Sequence, residues 1–297
     1  MFSSMFELFR MHEFVQNAFL AGTMVAIIAG VTGYFIILRA QTFATDAISH
    51  ISFAGATGAV IIGLSSLIGM FVLTVLASLG MGALGNRVRG RDVETGMVLA
   101  FALGLGVLFL SIYTRGATET VGVLFGSILS VSHEDLIATL VVGLIVLLTI
   151  TCIFRPLLFA SIDPEVAATR GVPLRFLSML FLLLLAITIT VSVQVVGVLL
   201  VFALLIAPAA AAECVTRRPV TSIVLSIVLG LVCVWGGLLL AFFGTWRHLP
   251  VSFYISVLAA LCYFLMLTIG RMRSLGRGTR STPRHREPST YIPVAGH

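Results

Sequence analysis

At 297 residues the chain is long enough for a sizeable domain, yet 59% of it is hydrophobic and only 10% is charged. A soluble domain carries about 25% charged residues, so this composition cannot cover a water-facing surface. The net charge of +6 would suit nucleic acid, but the basic residues lie in short loops and a tail rather than on an aromatic-studded patch, which excludes that class.

All 18 basic residues are arginine. Without a lysine the nucleotide-binding loop G-x-x-x-x-G-K-[ST] cannot be built, so any ATP-driven work must come from a partner. Cys152, Cys214, Cys233 and Cys262 stand singly in apolar runs with no C-x-x-C pair. They read as small hydrophobes rather than as a metal site.

Taken in order, residues 1–13 are too polar to span a membrane and read as an interfacial segment. Apolar runs long enough to cross a bilayer as helices follow at 14–38, 44–64, 66–85, 95–113, 134–154, 175–193, 195–213, 221–243 and 251–270. The alternating ten-residue pattern of a membrane barrel is missing. The fold class is therefore all-α: a polytopic helical membrane protein of eight or nine spans over residues 14–270. Residues 271–297, rich in Arg, Ser, Pro and Gly, read as a disordered tail held near anionic lipid headgroups.

The second apolar run carries Asp46 and His50. Four residues apart, they share one helix face a turn from each other. A carboxylate and an imidazole suit a borderline divalent metal such as zinc, manganese or ferrous iron. Ionisable groups inside a membrane segment mark a substrate or ion path by default. The plainer alternative is a carboxylate at a helix start beside a solvated imidazole.

Between the fourth and fifth runs, residues 121–132 are apolar but too short to cross, and read as a half-helix or re-entrant piece. Gly122 and Gly126 would let it pack closely. Ser132, His133, Glu134 and Asp135 then bunch together. They read as an N-cap and first helical turn, or as groups that meet an incoming cation.

From Arg155 to Arg175 the chain makes a longer connection than two spans need. Asp163 reads as an N-cap, Pro164 as the first helical residue and Glu165 as a favourable first-turn carboxylate. Gly171 and Pro173 close that helix, placed at 163–175. It is either a docking helix for a cytoplasmic partner or an ordinary interfacial helix. Further on, Pro208 marks a packing kink or a broken helix with carbonyls freed toward a path. Gln194 is a polar residue at the other end of that region, and Glu213 reads as a partner for Arg217. With nine spans, fifteen arginines fall on one side and three on the other. The positive-inside rule puts the richer side, with the C-terminus, in the cytoplasm.

Four stretches, ILRAQTFATDAISHISFAG, VLFGSILSVSHEDL, SIDPEVAATRGVPLRFLSML and VVGVLLVFALLIAPAAAA, together resemble the permease subunits of bacterial ABC importers for zinc, manganese and iron, the ABC-3 family. The resemblance implies a homodimer in the bacterial cytoplasmic membrane, with a cytoplasmic ATPase subunit on each copy and an extracytoplasmic metal-binding protein docking outside. Such a permease is not itself an enzyme and holds no cofactor; its metal is cargo. The resemblance carries a metal-pathway role onto Asp46 and His50 and an ATPase-coupling role onto Asp163, Pro164, Glu165 and Gly171. His133, Glu134, Asp135, Gln194 and Pro208 remain pathway candidates. Two positions depart from the family's pattern: Thr45 stands where glycine is common, and Ala54 where proline is. A gradient-driven secondary transporter is the alternative; it would need no docking helix and usually carries more intramembrane carboxylates.

Overall fold

The computed structural model describes residues 13–84, 91–112, 126, 131–216, 218–243 and 250–278. Among these there are eleven helices and no strand. We number them α1 (Glu13–Leu38), α2 (Thr42–Ile61), α3 (Ser66–Leu84), α4 (Arg91–Ile112), α5 (His133–Cys152), α6 (Phe154–Ile162), α7 (Pro164–Thr169), α8 (Leu174–Val196), α9 (Val198–Val215), α10 (Pro219–Phe243) and α11 (Val251–Gly278).

Nine of them coincide with the nine apolar runs. Seven are long and apolar enough to cross a membrane on composition alone; α2 and α4 are the other two. The apolar stretch of α4 is shorter, Thr95–Phe109, whereas polar residues lower the hydropathy of α2, which is sheltered by protein instead. Thirteen of its twenty residues are buried, among them Thr45, Ser49, Ser52 and Thr57, whose side chains do not meet lipid. Gly55 of α2 and Gly69 of α3 lie so close that a Cβ on either would strike the other's backbone carbonyl. Small residues at such a crossing let backbones approach where no hydrophobic force draws helices together.

The centre of the bundle is α1, α8 and α9. Phe35, Phe181, Leu185, Ile189, Leu204 and Leu205 are all fully buried there. A hydroxyl pair, Thr74 on α3 and Thr190 on α8, is joined at 2.8 Å inside this packing. By contrast α5 turns Leu140, Leu144 and Leu148 outward. They recur every fourth residue, a stripe that suits lipid contact.

The structure redraws three predicted features. The connection after α5 is helical from its start: α6 begins at Phe154, directly after the α5 cap at Ile153. Pro156 has no N–H to give the carbonyl four residues back, which lets the chain turn there without ending the helical run. The helix placed at 163–175 is shorter, α7 ending at Thr169, with Gly171 in the left-handed region at φ 78. The last helix runs on to Gly278, past the end of its apolar stretch. Residues 1–12, most of 121–130, Arg217 and 279–297 lie outside the described residues.

Candidate functional site

The turn from α1 into α2 sets the site. Leu38 ends α1, the Ala40 N–H donates to the Ile37 carbonyl, and the Gln41 N–H reaches back to the Ile36 carbonyl at 2.9 Å. This hydrogen-bonded helix end normally places glycine in the left-handed position, but here Ala40 holds it, at φ 51. It is the only non-glycine residue with positive φ among the described residues. Gln41 follows, buried, with neither its amide nitrogen nor its amide oxygen hydrogen-bonded in the structure.

From Gln41 onward two hydroxyls of α2 bond back to the preceding turn. Thr45 Oγ1 donates to the Gln41 carbonyl at 2.9 Å, and Ser49 Oγ to the Thr45 carbonyl at 2.9 Å. Thr45, where the family commonly has glycine, is thus a buried threonine with its hydroxyl satisfied. Ala54, at the other departure, is buried inside an unbroken helix. A proline there would remove a donor that the helix uses.

Asp46 and His50 emerge on one side of this helix. Asp46 Oδ1 and His50 Nε2 are 3.6 Å apart, and the side chains keep 29% and 21% of their exposure. Phe43, one turn before, is also exposed. With half-buried Thr42, these residues form the strip of the first two turns that the chain's other helices leave partly uncovered. The other ring nitrogen, His50 Nδ1, is buried with no hydrogen-bond partner. Two donors 3.6 Å apart can share one ion, because metal–donor bonds of about 2.1 Å each exceed half that separation. Two donors do not complete a shell, and among the described residues no group of three or more His, Cys, Asp or Glu side chains converges.

The second set of predicted residues gathers at the α6–α7 corner. The Asp163 side chain caps α7, accepting from the Val166 N–H at 3.0 Å. Pro164 occupies the first turn with exposed Glu165 beside it. At the far end the Gly171 N–H donates to the Ala168 carbonyl, and the Val172 N–H to the Ala167 carbonyl. That is a complete double-bonded helix stop. Ala167 is fully buried while Val166 is exposed, so the short helix is pinned on one face and open on the other.

The third set lies at the opposite end of the bundle. Ser132 and Asp135 form a reciprocal capping box at the start of α5. The other Asp135 oxygen accepts from Gln194 Nε2 of α8 at 2.7 Å. His133 and Glu134 are exposed and stand outside this arrangement. None of these residues comes near Asp46 or His50 in a shared cluster. Pro208 does not break its helix: α9 continues through it. Only the hydrogen bond to the Leu204 carbonyl is lost, and α9 is held by α1, where Gly33 abuts the Leu205 carbonyl. The interruption falls instead at Gly197, φ 85 and ψ 159, between α8 and α9.

Comparison with known proteins places this architecture. The model of the ABC 3 transport family matches residues 11–270. The chain belongs to that family. It is 32% identical over 272 residues to the manganese transport system membrane protein MntC of Halalkalibacterium halodurans, covering 91% of this chain and 93% of the relative. It is 34% identical over 219 residues to the manganese import system permease protein ScaB of Streptococcus gordonii, covering 73% and 78%. Among solved structures it resembles PsaBC from Streptococcus pneumoniae in complex with Fab, with a TM-score of 0.82 at 30% identity over 93% of this chain and all of that one. This ABC 3 family chain is thus a membrane-embedded transport subunit of ABC type, and the gradient-driven alternative finds no support.

Sequence reasoning missed two residues that the geometry brings forward. In the sequence Arg39 is one of the fifteen arginines on the richer side, yet its guanidinium lies against two other helices. Gly197 lies inside the apolar run 195–213, where a glycine does not stand out because glycine is frequent in membrane helices. The signals are an arginine seven residues before Asp46, between two apolar runs, and a glycine near the start of an apolar run that only Gln194 separates from the one before.

Proposed function

We propose that this chain is the permease of an ATP-driven importer of divalent transition metal, with manganese the cargo best supported and zinc or ferrous iron the alternatives. The observation that carries the reading is the Asp46–His50 pair, 3.6 Å apart on the uncovered face of an otherwise buried helix. Manganese is favoured by the relatives, which are manganese transport proteins, while the carboxylate–imidazole pair suits all three metals. Because two donors leave the shell open, a second copy facing the first would supply its own Asp46 and His50 at the axis.

In this reading the arginine-rich side is cytoplasmic. A partner ATPase docks on the exposed face of α7, over Glu165 and Val166, and an extracytoplasmic binding protein delivers metal to the Asp135–Gln194 end. A carboxylate and an imidazole hold such an ion without the closed thiolate cage of a structural site, so it can be released inward. His133, Glu134 and Asp135 have a smaller part here, since both Asp135 oxygens are occupied in capping and in the Gln194 bond.

The test is uptake of manganese by cells or proteoliposomes carrying the intact complex. Asp46→Ala and His50→Ala should each reduce uptake to background while the complex still assembles and hydrolyses ATP. Normal uptake in both variants would remove the site from the path.

A further inference from the structure

Arg39 stands where three parts of the molecule meet. It is in the α1–α2 turn, its Nη1 donates to Ser161 Oγ of α6 at 3.4 Å, and its guanidinium carbon lies 5.5 Å from the ring centre of Phe181 on α8. Ser161 is itself fixed, its hydroxyl donating to the Leu157 carbonyl at 2.6 Å. One turn before Arg39, Phe35 meets Phe154 of α6 edge-on at 5.7 Å and Phe181 at 6.2 Å. The α6–α7 corner therefore grips the end of α1 through an aromatic contact and an arginine, with Ala167 seating α7 in the core.

On the other side of Arg39 the chain leads directly into the site. Ala40 is held left-handed, and Gln41 is buried with its amide unsatisfied. Both features are costly and are kept by the surrounding packing, so a shift of that packing would relieve them. Beyond it α2 is one unbroken hydrogen-bonded helix from Thr42, with Asp46 and His50 in its first turns. A displacement at residues 39–41 is then passed to the pair rather than absorbed before it.

We propose that Arg39 is a positioning residue that transmits movement of the α6–α7 corner to the Asp46–His50 face of α2, through its contacts with Ser161 and Phe181. This rests on the transport reading above and adds to it the link between the ATPase contact and the metal route. Coupling of this kind runs through packed side chains and hydrogen bonds that have two arrangements. The plainer role for Arg39 is a cytoplasmic charge that orients the chain, and a lysine would fill that role equally well. A lysine would not reproduce the flat guanidinium that lies over Phe181 while reaching Ser161.

The experiment measures manganese ions transported per ATP hydrolysed by the whole complex in proteoliposomes, together with manganese binding. Arg39→Lys should bind manganese as the wild type does and still hydrolyse ATP, with ions per ATP reduced about five- to tenfold, the lower part of the usual coupling range. Ser161→Ala and Phe181→Leu should each lower the ratio less. Adding Ser161→Ala to Arg39→Lys should lower it no further, since both act on one link. A wild-type ratio in Arg39→Lys, or a loss of manganese binding that accounts for all of its deficit, would overturn the proposal. If Arg39→Lys fails to assemble, Ser161→Ala and Phe181→Leu decide it, and a wild-type ratio in both overturns it. A wild-type complex that hydrolyses ATP and moves no divalent metal would end the transport reading itself, and this inference with it.

Discussion

At the Asp135 end of the bundle, Gly126 lies directly on the Val196 carbonyl and the Gly197 nitrogen, and Asp135 ties α5 to α8 through Gln194 at 2.7 Å. At the Arg39 end, α1, α6 and α8 meet through long side chains: an arginine 3.4 Å from a serine hydroxyl, and aromatic rings 5.7 to 6.2 Å apart. The first kind of joint allows no change of residue, because backbone meets backbone in conformations only glycine adopts easily. The second gives way, because side chains can change rotamer and stay in contact. An importer that admits its cargo at one end and receives a push at the other would use these two joints differently. The close-packed one fixes geometry; the yielding one carries motion.

The largest expected effect breaks the close-packed joint. Gly126→Ala would drive a Cβ into the Val196 carbonyl and strain a residue at φ 77. Gly197→Ala would put alanine in a region essentially reserved for glycine, at φ 85 and ψ 159. Each should cost about 1–3 kcal/mol or more, read as a clearly lower melting temperature of the purified protein in detergent. A melting temperature equal to wild type for Gly126→Ala would mean that this contact is not a fixed part of the fold. Next in size is Gln194→Leu, which removes the donor to Asp135 Oδ1. A hydrogen bond to a charged group is worth roughly 1.5–3 kcal/mol. Half-exposure of both residues puts the loss at the lower end, about 1.5 kcal/mol. Denaturation monitored on the intact protein checks it, and an unchanged midpoint would show that water replaces the glutamine.

How much of this contrast could be read from the sequence depends on which atoms carry it. The nine long helices were legible, since apolar length alone marks a span. The pair Asp46 and His50 was legible because two ionisable groups in an apolar run are conspicuous. The capping of α7 by Asp163 and the stop at Gly171 were legible because such residues act on their nearest neighbours in the chain. The short helix α6 was not, since Arg155 and Pro156 together look like the beginning of a loop. Nor was Gly197: proline is the louder signal, and Pro208 drew attention although its helix merely absorbs one missing bond. The role of Arg39 depends on Ser161 and Phe181, more than a hundred residues away. No local pattern could announce that meeting.

Smaller effects sharpen the yielding end. Asp163→Ala removes the side-chain cap on the Val166 N–H and should cost about 1 kcal/mol of local helix stability. Amide exchange across 165–169 should quicken, with a weaker hold on the ATPase, while the melting temperature and manganese binding stay near wild type. Exchange unchanged from wild type would show that α7 is held by Ala167 packing and not by its cap.

The smallest effect is a gain. Ala40 sits at φ 51 in the position that ends α1, where an L-residue pays roughly 1–2 kcal/mol that glycine does not. Glycine gives part of this back through its greater freedom in the unfolded chain. Ala40→Gly should therefore raise stability by about 0.5–1 kcal/mol, with a small rise in melting temperature. If strain at this turn belongs to the way the Arg39 end moves, the same variant should transport fewer ions per ATP even though it is the more stable protein. A rise in stability with unchanged transport would make Ala40 a tolerated imperfection. A fall in stability would show that the Ala40 methyl group makes packing contacts worth more than the strain it causes.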